Sequence, residues 1–178
     1  MKFPVRTFTP IDAPAVRYPR AMIVMHWLIA GMVALQLIVA LLFALLRNMP
    51  TTLMVMNLHR SIGLTIFVLM AARLMMRLAR PLPAIQDGIP AWQKLTAKTV
   101  HAAFYLVLFA APAVGWFYTN AVGQEVTFFW LLHLPTLVDA NSALAERLLT
   151  AHIALALALV FLVGLHSCGA LYNHRSRR

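Results

Sequence analysis

The chain has 178 residues, of which 62% are hydrophobic and 11% charged, with a formal net charge of +10. No soluble domain of this length has enough interior to hide so much apolar surface, so a bilayer is the expected solvent. The positive excess does not point to nucleic acid, because the basic residues flank apolar runs, as membrane topology demands.

Residues 1–20 carry Lys2, Arg6, Arg17 and Arg20 among four prolines, which reads as a tail without helical periodicity. An uncharged run over 21–46 is long enough for a first span. No small-residue cleavage site follows a short apolar core, so this span reads as a retained anchor. A second span is expected over 53–78, interrupted by Arg60 and closed by Arg73 and Arg77. The third is expected over 99–122 with a kink at Pro112. The stretch 125–138 is apolar and aromatic, but Pro135 breaks it and it is too short to cross, which suits an interfacial segment. A fourth span over 148–172 leads into a basic tail, 173–178. The expectation is an all-α, four-helix integral membrane bundle over 21–172, with no second domain or internal repeat.

Orientation follows from the basic residues. Twelve lie in the N-terminal tail, the connection between spans two and three, and the C-terminus, whereas only Arg47, Arg60 and Arg147 lie on the other side. Both termini are therefore expected in the cytoplasm, with a bacterial inner membrane as the natural home.

Five of the seven histidines fall in or at the ends of spans. His152 and His166 are fourteen residues apart on one expected helix. That is a separation of roughly 21 Å along the axis and a return to within about 40° of the same face. Ionisable groups inside a span are expensive and read as functional. Alternating helix direction puts His59 and His152 at the outer level, and His26, His101 and His166 at the inner one. A six-coordinate b-type haem needs two axial imidazoles from facing helices, so the pattern asks for two haems. Without a CxxCH motif, both would be held by ligation and packing alone, and the lone cysteine, Cys168, excludes an internal disulfide.

The outer ligands are then His59 and His152, and the inner haem takes His166 with His26 or His101. Small residues four beyond His59, His152, His166 and His26 (Gly63, Ala156, Ala170 and Ala30) leave room for a flat macrocycle, whereas His101 has Tyr105 there. That contrast selects His26 and leaves His101 beside a propionate or a quinone. Zinc centres would want more ligands than the outer level offers. His133 and His174 read as solvent-facing, and Gln36 as a packing residue. Arg60 and Arg147 are placed for the outer haem or for an anion arriving from outside, and Arg73 for an inner propionate or quinone head group. Arg77 and Arg80 read as topology-setting charges.

The motifs Met25-His26-Trp27-Leu28, Asn57-Leu58-His59, Ala72-Arg73-Leu74 to Arg77-Leu78, Lys98 to His101, Pro112 to Gly115-Trp116, Ala151-His152 and Gly164-Leu165-His166 occur in order along the chain. In this the sequence, from about residue 18 to 174, resembles bacterial cytochrome b561, the four-helix di-haem group related to the cytochromes of nickel hydrogenases. The resemblance implies two haem b groups on His26, His59, His152 and His166. It also implies superoxide oxidation at the outer haem and ubiquinone reduction near the inner one, hence a superoxide:ubiquinone oxidoreductase. Arg60 and Arg147 would concentrate the anion against Glu125, Asp139 and Glu146 on the same side. Where relatives are expected to carry a histidine seven residues after the last ligand, this chain has Asn173 followed by His174, so these two become the candidates for quinone contact. The competing readings are a non-enzymatic electron-transfer subunit docked to a periplasmic dehydrogenase or hydrogenase, and, further off, a transporter using intramembrane histidines.

Overall fold

Prolines and a capping asparagine set the helix starts. The computed structural model describes residues 19–46, 49–79 and 90–175. Pro19 stands immediately before α1 (Arg20–Leu45), and Pro90 before α3 (Ala91–Ala121), each holding the chain extended as the helix begins. Helix α2 is Met49–Leu78 and α4 is Ser142–Arg175. Asn141 caps α4 by accepting the Leu144 N–H at 2.9 Å through its side-chain oxygen. Helices α3 and α4 thus begin well before the expected 99 and 148, and α4 continues past 172 into the basic tail. The tail to residue 18, Arg47, Arg80, residues 176–178 and the side chain of His174 lie outside the described residues.

All four helices are long and apolar enough to cross a membrane. The shortest has 26 residues, about 39 Å at 1.5 Å per residue, against a hydrocarbon core of about 30 Å. They pack in series, α1 on α2, α2 on α3 and α3 on α4. The core is a stripe of Ile62, Ile66 and Met70 on α2, met by Ile29 and Val33 of α1, Val107 and Leu108 of α3, and Leu159 and Leu162 of α4. The three α2 residues follow the four-residue repeat that keeps side chains on one face. Large apolar residues elsewhere, such as Trp27, Leu106 and Phe161, point outward, as a lipid-facing surface requires. Pro112 lies within α3 without ending it.

The stretch expected as an interfacial segment contains a short hairpin. Strands β1 (Thr127–Phe128) and β2 (Leu132–His133) pair antiparallel, with β1 lying against α2. Its turn puts Phe129 (φ 46°) and Trp130 (φ 60°) in the left-handed region, which side chains resist. Contacts with α2 hold them there. The fully buried Ser61 hydroxyl accepts the Phe129 N–H at 2.8 Å. The Asn57 amide, oriented to satisfy both of its ends, donates to the Thr127 carbonyl at 2.9 Å and accepts from the Trp130 indole at 2.9 Å. Hairpin propensity therefore did not choose this turn; its polar contacts to α2 did.

Candidate functional site

The backbone of α4 runs close to that of α3 only, among the described residues, while its Leu159 and Leu162 join the apolar core. Among the described residues no Cα of α4 comes within 8 Å of one in α1 or α2. Imidazoles meet across this separation at two levels. At the end of the bundle carrying the hairpin, His59 of α2 faces His152 of α4 with ring centroids 6.0 Å apart and planes at 76°. At the other end His26 of α1 faces His166 of α4 at 6.1 Å and 69°. The fourteen residues between His152 and His166 lie within one unbroken helix, so the two levels are roughly 21 Å apart.

The hairpin-end pair is closely supported. His152 Nδ1 lies 3.0 Å from the Ala111 carbonyl of α3. A carbonyl only accepts, so Nδ1 carries the proton and Nε2 keeps its lone pair. Gly115 makes this approach possible, since a Cβ there would sit 3.2 Å from His152 Cε1. Across the gap the Gln36 amide lies 3.2 Å from His59 Nε2 and donates to the His59 carbonyl at 3.0 Å. His59 Nδ1 and Gln36 Oε1 are buried with no hydrogen-bond partner. Gln36 also fills the space that Gly63 leaves open, 3.3 Å from where a Cβ would be. The reading of Gln36 as packing is corrected by these contacts: it touches both the ring and the backbone of His59. As the only side-chain amide in an uncharged run, it carried the cost of a polar group in lipid, and that signal was legible.

The other end is more open and more crowded. His166 is approached by His101 of α3 at 5.5 Å as well as by His26, and by Phe104 at 5.5 Å. His101 is exposed, with Nδ1 2.7 Å from the Ala97 carbonyl of its own helix. Arg73 donates to the Met22 carbonyl at 2.9 Å, one turn before His26, tying α2 to α1 at this level. Arg77 stacks on the Tyr105 ring at 5.7 Å. Asn173 lies on the last turns of α4 and is exposed.

Of the two arginines considered at the outer end, Arg60 donates to Gln124 Oε1 at 2.6 Å, and Arg147 is exposed on the early turns of α4. His133 is exposed and pairs with Glu125 at 3.1 Å.

This donor set fits a planar group with two axial sites better than a bare ion. Two imidazoles each about 2.0–2.1 Å from one metal, with ring centres about 1.1 Å behind the ligating nitrogen, would have centroids about 6.3 Å apart. Both pairs lie near that value. Among the described residues no three His, Cys, Asp or Glu side chains converge as a bare metal-ion site. The separation of α4 from α1 and α2, with imidazoles facing across it at both ends, leaves room for a haem.

The comparisons agree with this chemistry. Residues 17–178 match the family described as prokaryotic cytochrome b561. Among individual proteins, the chain is 32% identical over 119 residues to cytochrome b561 homolog 2 of Escherichia coli, covering 66% of this chain and 63% of that one. It is 33% identical over 116 residues to a probable superoxide oxidase CybB of Yersinia pestis, covering 65% of each. Cytochrome b561 homolog 1 of Escherichia coli is 26% identical over 165 residues, 89% of this chain and 90% of the relative. The first two matches thus span a little under two thirds of the relatives' length.

Proposed function

Because the chain belongs to the prokaryotic cytochrome b561 family of membrane electron-transfer proteins, we propose that it oxidises superoxide at the outer face and reduces ubiquinone at the inner face. It is a multi-pass bacterial membrane protein, and membership of the family brings haem b as its cofactor. The observation that carries the proposal is the double imidazole pairing, one pair near each end of the bundle and about 6 Å across in both. The probable superoxide oxidase among the relatives supports the choice of donor.

In this reading His59 and His152 hold the outer haem, and His26 and His166 the inner one. Bound iron supplies one-electron oxidation and reduction at each level. The protein supplies tautomer, spacing and access. Ala111 fixes the His152 tautomer that leaves Nε2 free to ligate, and Gln36 orients His59 through its ring and its carbonyl. Arg60, beside His59, raises the local concentration of an arriving anion. At the inner face, the exposed His101, whose Nδ1–H is held by the Ala97 carbonyl, can take a proton at Nε2 from the aqueous side and pass it to a reduced quinone, with Arg73, Asn173 and His174 as candidates for its head group. The balance is two superoxide ions and two protons consumed per quinone, giving two molecules of dioxygen and one quinol. Both termini are in the cytoplasm, so the protons come from that side.

The test is rapid mixing of the purified, haem-loaded protein with superoxide, with and without ubiquinone, after counting haem per chain. The expected result is reduction of the haem bands by superoxide alone and catalytic turnover with quinone. One haem per chain, or reduction only when a second protein is added, would overturn the proposal and favour a docked electron-transfer subunit.

A further inference from the structure

The outer ends of α1, α2 and α3 enclose a cavity of about 180 Å³. Its walls include Phe43 of α1, Thr52, Met56 and Arg60 of α2, Tyr118 of α3, and Gln124 beyond it. Neither His59 nor His152 lines it. Thr52, Met56 and Arg60 are four residues apart in turn, so the cavity follows one face of α2 for about 12 Å. It therefore runs from near the helix start down to the guanidinium.

Among the described residues Arg60 has no carboxylate partner. No carboxylate lines the cavity, and among the described residues the one ion pair, His133 with Glu125, lies elsewhere. The acceptor that Arg60 does have, Gln124 Oε1 at 2.6 Å, is neutral. Arg60 Nε is buried with no hydrogen-bond partner. A permanently charged guanidinium within a spanning helix is costly unless an opposite charge reaches it.

The cavity also describes the anion. It is far larger than the about 10–15 Å³ that one water requires, so a diatomic ion would leave most of it empty. The guanidinium fork on α2 and the Tyr118 phenol on α3 offer donors from separate walls. A tetrahedral oxyanion has acceptor oxygens for both at once, and phosphate suits the bidentate geometry of arginine. Phe43, Leu53, Met56 and Val122 give the same cavity an apolar side, able to cover the glycerol end of a lipid.

We infer that this cavity is a binding site for a phosphate-type oxyanion, either free phosphate or the head group of a lipid, with Arg60 as its counter-ion. Neither imidazole of the outer pair lines the site, and it does not depend on superoxide being the electron donor. An oxyanion bound there would compete with any smaller anion entering by the same route.

The test uses the haem-loaded protein in a maltoside detergent, which contains no phosphate. One arm measures equilibrium binding of radiolabelled inorganic phosphate, and the other measures binding of a short-chain phosphatidylglycerol below its micelle concentration. Arg60→Gln should weaken binding about tenfold or more, while Lys94→Gln, at the far end of the bundle, leaves it unchanged. Tyr118→Phe, which keeps the charge and nearly all of the packing, should weaken it severalfold and serves if Arg60→Gln does not fold. Binding of phosphate alone identifies a free ion as the source, and binding of lipid alone identifies the head group. The inference is overturned if neither probe binds the haem-loaded protein, if Arg60→Gln binds as well as the parent, or if Lys94→Gln loses binding equally.

Discussion

The two imidazole pairs have nearly the same spacing but differ in how tightly they are determined. At the outer level each ring has one facing partner and a dedicated contact: a backbone carbonyl and Gly115 for His152, the Gln36 amide for His59. At the inner level His166 stands between two histidines, and the one on α3 is nearer than the one on α1, at 5.5 against 6.1 Å. The facing of the two rings is thus built into the packing at one end. At the other, pairing rests on which neighbour leaves room for a macrocycle. The prediction with the largest expected effect tests the first half of this contrast. His152→Ala should remove the outer haem and spare the inner, halving haem per chain in a quantitative haem assay. Retention of both haems would sink the outer pairing.

The inner end then sharpens the comparison. If His26 is the second ligand, His26→Ala should abolish the inner low-spin signal in electron paramagnetic resonance. His101→Ala should keep that signal and slow only quinone reduction. The reverse outcome would transfer ligation to α3. A smaller effect is expected from Gly115→Val, which pushes side-chain atoms against His152. Displacing a ligand in this way typically costs roughly 10- to 100-fold in affinity. The outer haem should exchange faster to an external acceptor such as apomyoglobin, with the inner haem unaffected.

The same contrast explains what could be read from the chain. The four helices, the short motifs and which histidines share an end of the bundle were legible because they depend on helix period and on the cost of polar groups in lipid, both local properties. The early starts of α3 and α4 were also written in Pro90 and Asn141, which outrank the hydropathy pattern at helix ends. The hairpin was not legible. Its turn residues, Phe129 and Trp130, carry none of the Gly or Asn that a left-handed turn prefers. Its shape is imposed by Asn57 and Ser61, about seventy residues earlier in the chain. Gly115 was visible as part of a motif, but its purpose depends on a ring from another helix. The choice of His26 over His101 rests on Ala30 against Tyr105 one turn on, while in the fold His101 stands nearer to His166.

Arg60 separates the two ends electrostatically, because its guanidinium lies beside the outer pair. Arg60→Ala should slow reduction by superoxide by about 3- to 10-fold at low salt, with the difference shrinking as salt rises. Inner-face quinone reduction, measured from a chemically reduced protein, should not change. An equal loss at all salt concentrations would mean that Arg60 shapes the outer site and does not steer the anion.

The smallest effect concerns α4, which supplies one imidazole to each pair. Its first turn is held by the Asn141 cap, eleven residues before His152 and twenty-five before His166. Loss of such a cap typically costs about 1 kcal/mol, and the fraying it permits is confined to the first turns. Asn141→Ala should therefore lower the temperature at which the outer haem is released by a few degrees and leave the inner one nearly unmoved. If both haems were lost together, α4 would be acting as a single rigid post, and the difference between the two ends would lie in their ligands alone. If the outer haem alone responds, the helix end itself contributes to holding His152 against Ala111.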